Sequence, residues 1–297
     1  MIETYPQALP HSICLSCRAS GERGRPVLMF LHGFPEAAFA WDELLEHFSK
    51  PENGGYRCVA PNLRGFEKSS QPAAVEQYRA KYVMQDIAAL IELQGAPIEC
   101  LVAHDWGGAS AWNIASKMPR LIKRLAIINS PHPGTFLREL KSSRKQQEAS
   151  AYMNFLIRPD AEQLLRDNDY RRLFKFLVQH GADHGWLTED LKRKYRAVWD
   201  ESLTGGLNYY RASPLRPPRP EDAAAAAVDV PREAFTVDLP TLVLWGMEDI
   251  ALQPELIDGL EEYVRDLTLE RVPGATHWII HERPQFVAQR LAAFLAR

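Results

Sequence analysis

Long hydrophobic runs are missing from this chain of 297 residues, although 46% of it is hydrophobic. No apolar stretch approaches the ~20 residues that a helix needs to cross a bilayer, which excludes a helical membrane span. An excess of one charge is missing too. The 35 Lys and Arg residues against 38 Asp and Glu leave a net charge of −3. That balance gives no long-range attraction for nucleic acid or an anionic membrane. Cysteine is scarce, at four residues in the whole chain, so no disulfide framework is expected. The start, Met1-Ile2-Glu3-Thr4-Tyr5-Pro6, lacks the basic and apolar regions of a secretory signal, and a cytoplasmic setting is expected. What remains, with 25% charged residues, suits a globular protein with a full-sized core.

Cys14 and Cys17 have the C-x-x-C spacing of a redox or metal half-site. However, residues 12–18 alternate like a strand, which sends residues three apart to opposite faces. No second Cys/His pair at ligand spacing accompanies them. They are read as structural, and neither a metal nor another cofactor is expected.

The first half of the chain alternates strand and helix patterns. Val27-Leu28-Met29-Phe30-Leu31 is an apolar run of the kind buried on both faces of a parallel sheet. Trp41, Leu44, Leu45 and Phe48 recur at helical spacing, and Arg57-Cys58-Val59-Ala60 is the next short strand. Val83, Ile87, Leu90 and Ile91 mark a helix that ends near Gly95. A strand follows at Leu101-Val102-Ala103-His104, then a helix over 109–118, then a strand at Leu125-Ala126-Ile127-Ile128. This alternation predicts βαβ units and one parallel sheet. From 135 to 210 the chain reads as helical, polar and charged. Residues 213–238 carry five prolines and the alanine run 223–227, and read as a winding connection. Strand–helix alternation then resumes, with a strand at Pro240-Thr241-Leu242-Val243-Leu244-Trp245, a helix over 254–264, a strand over 267–272 and a helix over 284–296. The expected organisation is one α/β core built from 1–130 and 239–297, with a helical lid at 131–238.

The strand ending at His104 runs into Asp105-Trp106-Gly107-Gly108 and a helix. That is the context of a nucleophile elbow, the turn that lifts one side chain off the end of a parallel sheet. The raised residue here is Asp105, not Ser. A carboxylate can attack an alkyl carbon and leave an ester that water then cleaves. A serine attacking the same carbon would leave an ether that no triad can hydrolyse. Asp105 therefore points to opening of an epoxide or displacement of a halide.

Two further titratable residues follow strand ends in the order nucleophile, acid, histidine. Asp249 follows the strand ending at Trp245, and His277 follows the strand over 267–272. Such a His can take a proton from water when a carboxylate holds its tautomer and stabilises the imidazolium. Glu248 is a rival to Asp249 for that role. A second turn, His32-Gly33-Phe34-Pro35-Glu36, closes the strand at Val27 to Leu31. The N–H groups of Phe34 and Trp106 would together form an oxyanion hole.

With His32-Gly33-Phe34-Pro35-Glu36, Pro61-Asn62-Leu63-Arg64-Gly65-Phe66, His104-Asp105-Trp106-Gly107-Gly108, Asn208-Tyr209-Tyr210-Arg211 and His277-Trp278, the chain resembles the epoxide hydrolase branch of the α/β-hydrolase superfamily, near the haloalkane and haloacetate dehalogenases. The resemblance runs from about Pro26 to the C-terminus. It departs at Asn62, where the family usually has Asp, and at Ala103, where serine hydrolases have the first elbow glycine. It implies an α/β-hydrolase fold, a mostly parallel doubly wound sheet with an inserted helical lid. It also implies two lid tyrosines that donate to the epoxide oxygen, matched by Tyr210 and, less closely, Tyr152. A phenol of pKa ~10 stays protonated at neutral pH and suits that role. His32, His104 and Trp278 are expected to contact the substrate. The implied partners are a small apolar epoxide and water, with the chain a monomer or homodimer. A dehalogenase using the same Asp is the alternative, since Trp106 occupies a position where those enzymes bind halide. Against it, Phe34 stands where haloalkane dehalogenases have Asn or Glu. A non-catalytic binder is a third reading, opposed by the joint presence of Asp105, Asp249 and His277.

Overall fold

The apolar runs become eight strands of one sheet in a computed structural model, which describes residues 1–178, 185–219, 222, 225, 227–229 and 231–297. The strands are β1 (Glu3–Ala8), β2 (Cys14–Ser20), β3 (Val27–Leu31), β4 (Arg57–Pro61), β5 (Cys100–His104), β6 (Leu125–Ile128), β7 (Thr241–Gly246) and β8 (Leu267–Val272). Their order across the sheet is β1-β2-β4-β3-β5-β6-β7-β8. β1 and β2 run antiparallel to their neighbours, and the remaining pairs are parallel. β3, β4, β5, β6 and β7 are buried at every residue, as strands covered by helices on both faces must be. Met29 and Leu31 belong to one core cluster and Leu28 and Phe30 to the other, because successive side chains alternate across a strand.

Helices α1 (Asp42–Ser49), α2 (Ala80–Gln94) and α3 (Trp106–Lys117) fill the first half. From β3 the chain moves outward to β4, and then returns to place β5 on the other side of β3. That reversal is the topological switch point, where open α/β sheets form a crevice beyond the carboxyl ends of their strands. After β6 come α4 (Pro133–Ser142), α5 (Arg144–Ala149), α6 (Ala151–Leu156), α7 (Ala161–Leu177) and α8 (Glu189–Ala212). No strand lies between β6 and β7 among the described residues. The chain ends in α9 (Ile279–Glu282) and α10 (Pro284–Leu295).

α8 breaks at Ser202 (φ −141°). There the hydroxyl donates back to Val198 O at 2.8 Å and accepts from Glu67 N at 2.9 Å, a back-bond that bends helices. The bend lays Tyr209 and Tyr210 over the sheet, and the Tyr209 hydroxyl donates to Arg64 O at 3.0 Å.

One expectation changes. The single helix over 254–264 is two short 3₁₀ turns, Pro254–Ile257 and Leu260–Glu262, separated by Gly259 at φ +75°, outside the helical region. β1 was not legible, since Pro6 interrupts its pattern; an edge strand tolerates the missing N–H. Of the alanine run 223–227, only 225 and 227 fall among the described residues. Cys14 and Cys17 are free thiols, one half-buried and the other buried. Among the described residues no cluster could hold a metal ion, and no helix is long and apolar enough to cross a membrane.

Candidate active site

β3 and β5 are adjacent and parallel, with Leu31 opposite Ala103. Their following loops therefore meet. Asp105 occupies the turn at φ 50° and ψ −124°, a conformation that non-glycine residues hold only when the surroundings impose it. The surroundings here are close-packed. A Cβ on Gly107 would sit 2.4 Å from Leu31 O, so α3 can approach β3 only with glycine there. Ser130, just beyond β6, donates its hydroxyl to Asp105 O at 2.7 Å.

The Asp105 carboxylate faces the start of α3, where backbone N–H groups and the helix dipole favour negative charge. Phe34 N donates to its Oδ1 at 2.7 Å, and the nearby Trp106 amide favours the charged form of the same carboxylate. Both amides expected as the oxyanion pair thus point at one group. Burial raises the Asp105 pKa, while His277, His104 and the two amides oppose the rise.

His277 Nε2 lies 3.8 Å from Asp105 Oδ2, and its Nδ1 lies 2.7 Å from Asp249 Oδ2. Asp249 is fixed from three sides. Its Oδ1 accepts from Ala251 N and Leu252 N, each at 2.9 Å, and its Oδ2 accepts from Asn129 Nδ2 at 2.8 Å. Burial works to raise the Asp249 pKa, but the His277 charge and these donors hold it below the usual carboxylate range. Burial works to lower the His277 pKa, yet Asp249 beside it, with Asp105 and Glu36, lifts it to about 9. Glu248, the rival acid, is exposed.

Tyr210 on α8 and Tyr152 on α6 hang over this group. Their rings stand 6.1 Å apart at 77°. Tyr210 also packs edge-on against Trp106 at 5.1 Å and Phe34 at 5.4 Å. Burial, followed by nearby acidic groups, raises both phenol pKa values, so both hydroxyls keep their protons. A cavity of about 70 Å³ lies against Asp105, Trp106, Tyr152 and Tyr210, and its other walls include Phe136, Met153 and Leu252.

His32, His104 and Trp278, expected to contact the substrate, are not among the residues that line this cavity. His32 is fully buried: Nδ1 donates to Gly33 O at 3.0 Å and Nε2 accepts from Leu63 N at 3.1 Å. Burial pushes its pKa down to about 4. His104 donates from Nε2 to His277 O at 2.9 Å. Trp278 donates its indole N–H to Phe176 O at 3.3 Å. Each ties loops together beneath or beside the site. The cause is the pleat: His104 precedes the raised residue and so points to the opposite face.

Two site residues lacked an expected role. Asn129, at φ 38°, bonds Asp249 and accepts from Gly246 N at 2.8 Å, locking β6 to the Asp249 loop. Its one local signal is a polar residue ending a buried strand. Glu36 is fully buried. Its Oε1 accepts from the Tyr195 hydroxyl at 2.8 Å and from His281 Nε2 at 2.5 Å, while Oε2 lies 3.3 Å from His104 Nδ1. Burial works to raise its pKa, but His281 and His104 hold it well below the usual range. Asn62, the departure from the family pattern, supports loops: its Oδ1 accepts from Ala38 N at 2.7 Å and its Nδ2 donates to Glu67 Oε2 at 2.7 Å.

Comparison with known proteins adds a second line. The family model described as the alpha/beta hydrolase fold matches residues 26–284. The chain is 32% identical to the AB hydrolase superfamily protein YfhM of Bacillus subtilis, over 96% of this chain and 95% of that one. It is 33% identical to Epoxide hydrolase 3 of Xenopus tropicalis, over 93% of this chain and 73% of that one. A crystal structure of a Bacillus megaterium epoxide hydrolase in complex with an inhibitor superposes with a TM-score of 0.89 at 30% identity, covering 99% of this chain and 100% of that one.

Proposed function

This chain belongs to the α/β-hydrolase fold family and is an epoxide hydrolase; on that premise we propose that Asp105 opens the epoxide as a covalent nucleophile and that His277 directs water to the resulting ester. The observation that carries the reading is the position of the Asp105 carboxylate, between two amide donors on one side and the His277–Asp249 pair on the other.

Asp105 Oδ1 is held by the Phe34 amide, which leaves Oδ2, on the His277 side, free to attack. Oδ2 forms a bond to an epoxide carbon as the ring C–O bond breaks. The electron pair goes to the epoxide oxygen, where the Tyr210 and Tyr152 hydroxyls donate hydrogen bonds and the developing alkoxide takes up a proton. A positioned acid of this kind typically contributes ~10²–10⁴ in rate. The insertion that carries the tyrosines acts as a lid, and the apolar cavity walls fit an apolar epoxide.

Esterification then changes the charges around His277. Asp105 is one of the groups that hold the imidazole pKa near 9. The ester is neutral, so that pull disappears and the ring yields its proton more readily. His277 Nε2 can then take a proton from water as the water oxygen bonds the ester carbon. The tetrahedral oxyanion forms on Oδ1, already facing the Phe34 and Trp106 amides. Collapse expels the diol oxygen, which is protonated by the imidazolium; Asp105, now carrying one oxygen from water, loses its carboxyl proton to solvent and returns as a carboxylate, which balances the proton that the alkoxide took up from solvent in the first step.

The test is trapping. In His277→Gln, incubation with an epoxide should add the mass of one substrate to the peptide containing Asp105, because the ester forms and persists. An absence of adduct on that peptide, with wild type active on the same epoxide, would refute the covalent mechanism.

A further inference from the structure

Tyr152, a wall of the cavity at Asp105, also borders a second, larger one of about 390 Å³, within the range of small-molecule pockets, roughly 300–1,000 Å³. Its walls are mainly apolar: Phe34, Phe155, Leu156, Leu165, Leu173 and Phe176 are among them. Among the described residues only two charged groups border it, Arg172 and Lys175, and both are cations. They stand three apart on α7, which places them on one face, and both are exposed at the outer end.

Several other cations of the insertion have acidic partners: Arg166 with Asp200, Arg196 with Asp169, and Arg211 with Glu162. Arg172 and Lys175 have no ion pair or hydrogen bond among the described residues. Arg172 instead lies 5.9 Å from the centroid of the Phe155 ring, so a cavity wall holds the guanidinium in place. On the other side of Asp105, a third cavity borders Arg79, Lys81 and Lys117, but Asp229, Asn113 and two tyrosines share that rim. Its mixed polarity selects no charge.

We infer that Arg172 and Lys175 are specificity-determining residues that read a carboxylate at the far end of an elongated epoxide, whose apolar body fills the cavity between them and Tyr152. The inference rests on the epoxide-opening reading of Asp105. The physical reason is that an apolar channel alone ranks substrates by length and bulk. Two cations at its mouth, without an acidic partner among the described residues, add a preference of sign. A planar guanidinium fits a carboxylate in a bidentate manner. The charge stays at the solvent edge, where its hydration is kept, while the methylene chain is buried. The contribution is to binding in ground and transition states alike, so it enters KM and leaves kcat alone.

The experiment compares an alkyl-chain epoxide ending in a carboxylate with its methyl ester, using wild type, R172Q/K175Q and R172E/K175E. An uncharged aryl epoxide too short to reach α7 is the reference. Wild type should prefer the acid. The acid-to-ester ratio of kcat/KM should fall about fivefold to tenfold in R172Q/K175Q, the scale of two solvent-screened ion pairs. It should invert in R172E/K175E, with the change in KM and the aryl epoxide unaffected. Added salt should weaken the wild-type preference. Calorimetric binding of the two matching diols gives the same ratio without turnover. Equal ratios in all three proteins, by either readout, would overturn the inference. Inactivity on every epoxide, the aryl reference included, would instead overturn the reading of Asp105.

Discussion

Gly33→Ala is a one-methyl perturbation aimed at the nucleophile. A Cβ at position 33 would lie 2.1 Å from Asp105 Oδ1, 2.4 Å from its Cβ and 2.6 Å from its Cγ. Ordinary contact begins at 3.4 Å, so something must move by more than 1 Å. Two movements can relieve the clash. The 32–35 loop can retreat, which withdraws the Phe34 amide from Oδ1, or the Asp105 side chain can rotate away from it. Both separate the carboxylate from its donor. Removing one oxyanion-hole donor typically costs ~10²–10³ in rate, and a 1 Å misplacement about 10². The kcat of Gly33→Ala should fall by about 10²–10³. Gly24→Ala is the control. It has φ +85° but nothing within 4 Å of a new Cβ, so it should lose roughly 1 kcal/mol of stability to backbone strain and keep its activity. Steady-state kinetics on an epoxide and thermal melts check both. A kcat for folded Gly33→Ala within threefold of wild type would refute the claim that the Phe34 amide and the carboxylate must stay in contact.

Three further outcomes are expected. Asp105→Ala should abolish turnover while the melt stays cooperative; residual activity above 1% would remove Asp105 as nucleophile. Tyr210→Phe should slow single-turnover ring opening by about 10²–10³, with a smaller loss in Tyr152→Phe. Halide release from a haloacid that survives Tyr210→Phe intact, in an enzyme inert to epoxides, would favour dehalogenation instead. In wild type, ester hydrolysis should rise with pH along a limb whose midpoint lies below 9, because His277 must be neutral and esterified Asp105 no longer raises its pKa. Asp249→Asn removes the group that does most to raise that pKa, so the midpoint should move further down while the rate plateau falls by about 10²–10⁴. A midpoint that stays or rises in Asp249→Asn would contradict the assignment.

Much of this protein is local enough to be written in contiguous residues. A buried strand, a tight turn and a helix follow one another from 100 to 117, so the elbow and its raised Asp105 need no distant partner to be recognised. The same holds for the buried runs of β3 to β7 and for the order in which Asp105, Asp249 and His277 follow strand ends, since a parallel sheet delivers its strand ends to one edge. Tertiary structure alone decided which loops meet there. Strand order placed β3 beside β5 and so brought the Phe34 amide to Asp105. Pleat parity turned His104 away from the cavity, and close packing put His32 beneath its loop. The Glu36 network draws on Tyr195 and His281, which are 159 and 245 residues away in sequence. No periodicity encodes such a distance, because a buried polar group is specified by whatever partner the fold carries to it. Likewise the charges of Arg172 and Lys175 are plain in the sequence. That they border an apolar cavity, with no acidic partner among the described residues, follows only from how α7 packs over the sheet.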